Sequence, residues 1–168
     1  MIFLYVFLAI ILLLFIVVFI GAPYVPTLRS DAYRILDLYP WSKKDVLVDI
    51  GSGDGLILRL LSPRIHRAIG YELSPIIFII SWFLSRRYKN VDIICKNFWN
   101  EKIPKETTVV YGFLAERYMK KCQNLLQAHV DRTRKPIHFI SYSFKLPDRR
   151  PIKQDGPMIL YKITPLQS

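Results

Sequence analysis

Three glycines at alternating positions stand out in the sequence of 168 residues. Gly51, Gly53 and Gly55 follow a short apolar run, with Asp49 two residues before the first and Asp54 between the last two. A strand that turns through glycines into a helix lets backbone N–H groups and the positive end of the helix approach a ligand closely. The stretch therefore predicts a ligand-binding loop.

The spacing of the glycines argues against two common nucleotide loops. A triphosphate-binding loop ends in Gly-Lys-Ser/Thr, whereas Gly55 is followed by Leu56. A dinucleotide fingerprint has its third glycine at the sixth place, and the sixth place counted from Gly51 is again Leu56. Glu72 lies about twenty residues beyond the loop, as ribose-binding acids do in doubly wound folds. A carboxylate there suits two ribose hydroxyls, because it offers two acceptor oxygens.

The elements around the loop predict an α/β fold with a mostly parallel sheet. Strands are predicted at 45–50, 67–72, 91–95, 107–111, 136–143 and 158–163. Helices are predicted at 30–39 with Ser30 as N-cap, at 56–61, from the Ser74-Pro75 pair to residue 88, and at 114–130. Strands that alternate with helices over this length favour parallel pairing.

The N-terminus predicts a membrane anchor. Residues 2–20 contain no charge and no proline, and their number is close to the roughly 20 residues that cross a bilayer as a helix. A cleaved signal peptide is the alternative, but the run lacks a basic n-region and a clear A-x-A-like site. We therefore expect a transmembrane anchor at 1–22, a connector stiffened by two prolines at 23–29, and one domain at 30–168.

The charge distribution predicts the orientation in the membrane. Every charged side chain follows residue 28, and the net charge is +11. The positive-inside rule then places the domain on the cytoplasmic side of a single-pass protein. The excess of basic residues indicates either solubility or attraction to anionic headgroups, at about 1 kcal/mol per basic residue near the surface.

The two cysteines predict neither a metal site nor a disulfide. Cys95 and Cys122 have no CxxC or Cys/His partner in the sequence. Both are expected to be buried, reduced thiols.

The glycine loop with its acids resembles the S-adenosylmethionine loop of class I methyltransferases. In that family the acid before the loop helps to orient the methionine part of the ligand, and the acid that ends the second strand binds the ribose. The resemblance implies S-adenosyl-L-methionine as cofactor, bound by Asp49, Gly51, Ser52, Gly53, Asp54, Gly55, Glu72, Asn97 and Phe98. Asn97 stands where the family usually has an Asp near the adenine, which still allows a hydrogen bond.

A narrower resemblance covers most of the chain. The sequence is similar to single-pass membrane lysine methyltransferases, known for modifying the adenine nucleotide translocase and the ATP synthase c-subunit, and to their prokaryotic relatives. The stretches that carry it are the anchor with PYVPT (23–27), VDIGSGDG (48–55), GYELSP (70–75), KNFW (96–99), VVYG (109–112), SYSF with LP (141–147) and ILYKI (159–163). The resemblance implies a Rossmann-like class I methyltransferase, preceded by one transmembrane helix, that methylates lysine in a membrane-associated protein. One departure is FLAERY after Gly112, where a proline is expected.

The substrate side of the site is less well specified. No catalytic residue is predicted, because methyl transfer depends mostly on positioning. The candidates for lining the site are Tyr24, Pro26, Thr27, Tyr111, Gly112 and Glu116. Ordinary packing or solvation is an equal alternative for each of them.

Other functions remain open at this stage. One is methylation of a lipid-soluble small molecule such as a quinone precursor or a lipid, and another is a non-catalytic ligand-binding scaffold. A nucleic-acid partner is not expected. Enzymes that methylate base amines place an Asn/Asp-Pro-Pro-aromatic motif after the fourth strand, where this chain has YGFL.

The helix predicted after Glu72 is apolar nearly all round over residues 76–84. Either the fold covers this helix completely, or its outer side contacts the membrane or a partner helix. Nine residues are too few to span a bilayer.

Overall fold

The structure, a computed structural model, describes residues 2–8 and 27–166. Residues 2–8 are helical and exposed. Most of the predicted anchor at 1–22, together with Tyr24 and Pro26 of the connector, lies outside the described residues. Within the described residues, no helix has both the length and the apolar character needed to cross a membrane.

One seven-stranded sheet forms the centre of residues 27–166. Its strands are β1 Val46–Ile50, β2 Arg67–Glu72, β3 Val91–Cys95, β4 Val109–Gly112, β5 Ile137–Tyr142, β6 Lys153–Asp155 and β7 Met158–Ile163. The order across the sheet is β3-β2-β1-β4-β5-β7-β6, with β1 to β5 parallel and β7 antiparallel to both neighbours. The predicted α/β fold with a mostly parallel sheet is thereby confirmed. The chain reverses its direction of winding between β1 and β4, where doubly wound folds bind ligands.

Helices cover the two faces of this sheet. They are α1 Arg29–Ala32, α2 Ile35–Leu38, α3 Leu56–Leu61, α4 Pro75–Ser85 and α5 Met119–Thr133, with 3-10 turns at Phe98–Asn100 and Glu116–Tyr118. Helix α5 packs with the core on one face, and α1, α2 and α3 pack with the core on the other. All five residues of β1 are buried, as expected for a central strand covered on both sides.

The predicted helix at 30–39 is wrong in detail. Its N-cap is Leu28, whose carbonyl accepts from the N–H groups of Asp31 and Ala32 at 3.0 and 2.9 Å, so Ser30 lies inside α1. After α1 the backbone forms hydrogen bonds between residues three apart, such as the Arg34 N–H donating to the Asp31 carbonyl at 3.0 Å. The predicted single helix is therefore divided into α1 and α2.

The sheet edges account for two further differences. Cys95 was expected to be buried but is exposed, because it ends β3, an edge strand in which no residue is fully buried. Cys122 is buried on α5, as expected. Strand β6 was not predicted, since its three residues are polar and largely exposed at the opposite edge.

Helix α4 differs from an ordinary surface helix in which side chains face the core and which face outward. Its fully buried residues are Ser81 and Ser85, whereas large apolar side chains along it are exposed. The interpretation that the fold covers this helix completely is therefore wrong. The sequence alone did not show which side faced inward, because apolar residues lie on both sides of it.

Candidate functional site

The glycine loop lies at the carboxyl end of β1 and is held by the backbone of β2. The N–H groups of Gly51 and Ser52 donate to the Tyr71 carbonyl at 2.9 and 3.0 Å. Gly51, Gly53 and Gly55 have φ values of +84°, +56° and +78°, in the left-handed region that favours glycine. The alternating glycines are thus required by the backbone path, whatever the loop binds.

Glu72 joins the end of β2 to the loop. Its Oε2 accepts from the Gly53 N–H at 3.0 Å, and its Oε1 accepts from the Ser74 N–H at 2.8 Å. The residue is only 8% exposed. A carboxylate has about four acceptor positions, so two remain for hydroxyl groups of a ligand while the loop stays fixed. Glu72 therefore has the capacity to bind a ribose and to hold the loop at the same time.

Asp49 is the most deeply buried acid of the site. It is 1% exposed, and its Oδ1 has no hydrogen-bond partner among the described residues. Burial raises its pKa well above the usual range, and the nearby carboxylates of Glu72 and Asp54 raise it further. A desolvated carboxyl group next to two other acids fits a positively charged ligand, which would stabilise the ionised form. S-adenosyl-L-methionine, with its sulfonium and ammonium groups, meets that requirement.

Asp54 acts within the loop itself. Its Oδ1 accepts from the Leu56 N–H at 3.0 Å, and its Oδ2 lies 3.4 Å from the Arg59 guanidinium. The same guanidinium donates to the Asp54 carbonyl. These contacts fix the start of α3 and leave Asp54 as a partly exposed contributor of negative charge.

Gly70 is a functional position that the sequence analysis did not single out. A Cβ at this residue would lie 2.5 Å from Leu58 Cδ1 and 2.6 Å from Ser52 Oγ. The absence of a side chain in β2 thus allows the loop residue Ser52 to pack against the sheet. A glycine inside a strand marks such a close approach, and GYELSP contained that signal.

Asn97 and Phe98, the predicted adenine-side residues, follow β3. Asn97 Oδ1 accepts from the Trp99 N–H at 3.1 Å and caps the 3-10 turn, while the residue itself is exposed. Phe98 is 6% exposed, and its ring centroid lies 5.5 Å from that of Tyr71. Both rings belong to the core on that face of the sheet, and the Asn97 amide N–H₂ is outside the capping bond.

Two of the predicted substrate-side residues meet at the end of β4. The hydroxyl groups of Thr27 and Tyr111 are 2.9 Å apart, although the residues are distant in sequence. Tyr111 is 2% exposed. Burial raises the pKa of its hydroxyl group, and the charge of Asp49 raises it further. Gly112 follows in β4, where a Cβ would lie 2.7 Å from Ile50 Cγ1, and exposed Glu116 begins the next 3-10 turn.

Asp31 and Tyr142 extend this cluster and were not predicted. The Tyr142 hydroxyl donates to Asp31 Oδ2 at 2.9 Å. Burial raises the pKa of Tyr142, and this hydrogen bond raises it further. Tyr142 and Tyr111 belong to the same buried cluster, and the charge of Asp31 contributes to the raised pKa of Tyr111. The sequence analysis gave Asp31 no role, and the structure places it in the first turn of α1. Tyr142 lies within the SYSF stretch, which was the available signal.

The strand order, the loop after β1 and the acid at the end of β2 define the fold of the class I methyltransferases. An RNA methyltransferase from Salinibacter ruber, solved with S-adenosyl-L-homocysteine, is similar with a TM-score of 0.71 and 24% identity, over 86% of this chain and 96% of that one. Phosphoethanolamine N-methyltransferase 1 from Haemonchus contortus, also with S-adenosylhomocysteine, has a TM-score of 0.58 and 15% identity, over 77% and 30%. The predicted cofactor agrees with the ligand bound in both, whereas their substrates differ.

Sequence relatives narrow the comparison to protein-lysine methyltransferases. The chain is 29% identical over 111 residues to the ATP synthase c-subunit lysine N-methyltransferase of Xenopus laevis, which is 62% of this chain and 49% of that protein. It is 28% identical over 132 residues to a protein-lysine N-methyltransferase of Saccharolobus islandicus (strain REY15A), covering 74% and 78%. The predicted resemblance is confirmed, although the match spans about half the length of the Xenopus protein. No model of a known protein family matches the chain.

Proposed function

We propose that the chain is a membrane-anchored S-adenosylmethionine-dependent methyltransferase that methylates lysine in a membrane-associated protein. The observation that carries the proposal is the grouping of Asp49, the glycine loop and Glu72 at the carboxyl ends of β1 and β2. The lysine substrate is favoured by the names of the two curated relatives.

Each cofactor-side residue has a role that its contacts permit. S-adenosyl-L-methionine, when bound, supplies an electrophilic methyl group. Glu72 would accept the ribose hydroxyls with its two remaining acceptor positions, and Asp49 would balance the positive charge of the methionine part. The glycine loop would pass close beneath the ligand, while Asn97 and Phe98 would border the adenine.

The substrate-side residues suit a cationic side chain. Lysine must lose a proton before it accepts a methyl group, and a partly desolvated site lowers its pKa. Asp31 and Glu116 would attract the ammonium form, after which the proton leaves to water. The Tyr111 hydroxyl stays protonated at neutral pH because its pKa is raised, so it would position the amine by hydrogen bonding.

Acidic side chains on the substrate side favour a cationic substrate. A neutral quinone precursor has no need of Asp31 and Glu116, and the chain has YGFL at the end of β4 in place of the Asn/Asp-Pro-Pro-aromatic motif of enzymes that methylate base amines. The proposal therefore includes no nucleic-acid partner. Of the basic residues that give the net charge of +11, Arg34 pairs with Asp31 at 3.2 Å, and the exposed ones remain available for anionic lipid.

The connector bears on the membrane part of the proposal. Thr27 follows Ile20 by seven residues, which span at most about 25 Å when fully extended. The hydroxyl of Thr27 contacts Tyr111 at the end of β4. If residues 2–20 cross the bilayer, the site lies within that distance of the membrane surface, on the cytoplasmic side according to the positive-inside rule.

The decisive experiment labels native membranes. Purified full-length enzyme and labelled S-adenosylmethionine are added to membranes from a deletion strain, and protein is then separated from lipid. We expect label on a lysine of a membrane protein, with Glu72→Ala inactive and the exposed-surface variant Asp92→Asn active. Label in the lipid fraction would support the small-molecule alternative, and label in neither fraction would support a scaffold.

A further inference from the structure

The outward face of α4 is a continuous apolar stripe. Ile76, Ile79, Ile80 and Phe83 recur at the spacing of one helix face, and their exposed fractions are 54%, 60%, 48% and 52%. Trp82, also exposed, borders the stripe. Ordinary surface helices place their polar residues on this side.

The inward face of α4 explains why the stripe is not needed for folding. Ser81 and Ser85 face the start of α3, where a Cβ on Gly55 would lie 2.7 Å from Ser81 Oγ and 3.2 Å from Ser85 Oγ. These small residues let the two helices approach closely and leave the large side chains outside. An exposed apolar patch of this kind marks an interaction surface.

Basic residues follow the stripe at the carboxyl end of α4. The Arg86 guanidinium lies 4.0 Å from the centre of the Phe83 ring, and Arg87 and Lys89 come next in the chain. Arg87 and Lys89 also line a cleft of about 550 Å³, together with Lys43 and His66. Among the described residues, no acidic side chain lines this cleft. Its charge is complementary to phosphate groups.

We propose that α4 lies on the surface of an anionic lipid bilayer, with its outer face at the boundary between headgroups and acyl chains. An apolar face bordered by Trp and followed by basic residues is typical of interfacial helices, which enter that boundary by about 5–10 Å. The 11 residues of α4 are too few to cross a bilayer. The cleft with Arg87 and Lys89 would then contact lipid phosphates.

The proposed anchor supports this occupant over others, and the inference rests on that part of the proposed function. An anchored domain cannot move further from the bilayer than its connector allows. Ser74, the N-cap of α4, lies two residues after Glu72 and donates its N–H to the Glu72 carboxylate, so a bilayer-bound α4 also brings the cofactor end of the site to the membrane. The alternative occupants are a second copy of the chain or a partner helix, either of which would cover the stripe in the absence of lipid.

The test compares labels at two isoleucines of almost equal exposure. Ile79 on α4 is 60% exposed, and Ile152, near the opposite edge of the sheet, is 58% exposed. Each is replaced by cysteine in a full-length Cys95→Ser background, where Cys122 is buried, and is labelled with an environment-sensitive fluorophore. Vesicles of anionic lipid carry nitroxide quenchers either near the headgroups or near the bilayer centre.

We expect a loss of fluorescence at position 79 that is greater with the shallow quencher, and no loss at position 152. The loss should decrease in zwitterionic vesicles and in the double variant Arg87→Gln, Lys89→Gln. Protein that floats with vesicles but is not quenched at position 79 would overturn the inference while leaving the anchor intact. Protein that does not float would overturn both. Methylation measured on the same samples reports separately on the enzymatic proposal.

Discussion

Replacing Asp49 by Asn should stabilise the protein at neutral pH. In the folded chain, burial raises the pKa of Asp49, and the charges of Glu72 and Asp54 raise it further. An Asp in the unfolded chain has a pKa of about 3.9. The folded state therefore binds more protons than the unfolded state between these two pKa values. Its free energy of unfolding falls as pH rises through that window, by at most about 1.4 kcal/mol per pH unit. Asn does not titrate and removes this loss.

The assay is urea unfolding of both proteins in a mild detergent over a pH series. The difference in free energy of unfolding, Asp49→Asn minus the unaltered protein, should be smallest below about pH 4 and should increase toward neutral pH. Titrating groups distant from Asp49 contribute equally to both proteins and cancel in the difference, whereas the coupled carboxylates of Glu72 and Asp54 contribute to it. A difference that is the same at every pH would show that folding does not raise the pKa of Asp49, and the reasoning would be refuted.

The same substitution should weaken the binding of S-adenosylmethionine. A positively charged ligand favours ionised Asp49, so binding should release a proton and affinity should rise with pH. Loss of a hydrogen bond to a charged group costs about 1.5–3 kcal/mol, which corresponds to a decrease in affinity of roughly 10- to 150-fold. Calorimetry in two buffers of different ionisation enthalpy measures both quantities. Greater stability with weaker binding is the combination that distinguishes this site from a purely structural acid.

Other substitutions test the loop and the substrate side. Gly70→Ala should lower the free energy of unfolding in urea by about 1–3 kcal/mol, because the added Cβ meets Ser52 and Leu58. Gly51→Ala should lower it by about 1–2 kcal/mol, because nothing lies within 4 Å of the added Cβ and only the strain of a left-handed residue remains. A greater loss of stability in Gly51→Ala than in Gly70→Ala would show that the loop does not pack against the sheet as described. Asp31→Asn should lower kcat/KM for the protein substrate without changing cofactor affinity in calorimetry, and equal effects on both would place Asp31 outside the lysine site. A flexible Gly/Ser insert after residue 27 should lower methylation of the native membrane target with unchanged cofactor affinity, and undiminished methylation would mean that the anchor serves only localisation.

The bounds of helices and strands were predictable where residues that start or end such an element are present in the sequence. Gly55 and Pro63 delimit α3, and the Ser74-Pro75 pair starts α4 with Ser74 as the N-cap. The predicted bounds of β2, β3 and β7 were also correct, since each is a short run of mostly apolar residues. Cys95 could not be placed, because its exposure depends on β3 being at the edge of the sheet.

The candidate site was predictable on one side only. Asp49, the glycines and Glu72 lie within one βαβ unit, where sequence spacing translates directly into proximity. The contact between Asp31 and Tyr142 spans 111 residues and depends on how α1 packs against the end of β5. Such a pair has no spacing signal, so it required the structure.

The two hydrogen bonds of Glu72 have a thermodynamic consequence. One bond goes to the glycine loop and the other to the N–H of Ser74, which caps α4. A bilayer that restrains α4 thus also restrains the acceptor proposed for the ribose. If lipid contact raises the affinity for the cofactor by some factor, the cofactor must raise the affinity for lipid by the same factor, because such coupling is reciprocal. At a given cofactor concentration, a larger share of anionic lipid in the membrane would then increase the fraction of cofactor-loaded enzyme.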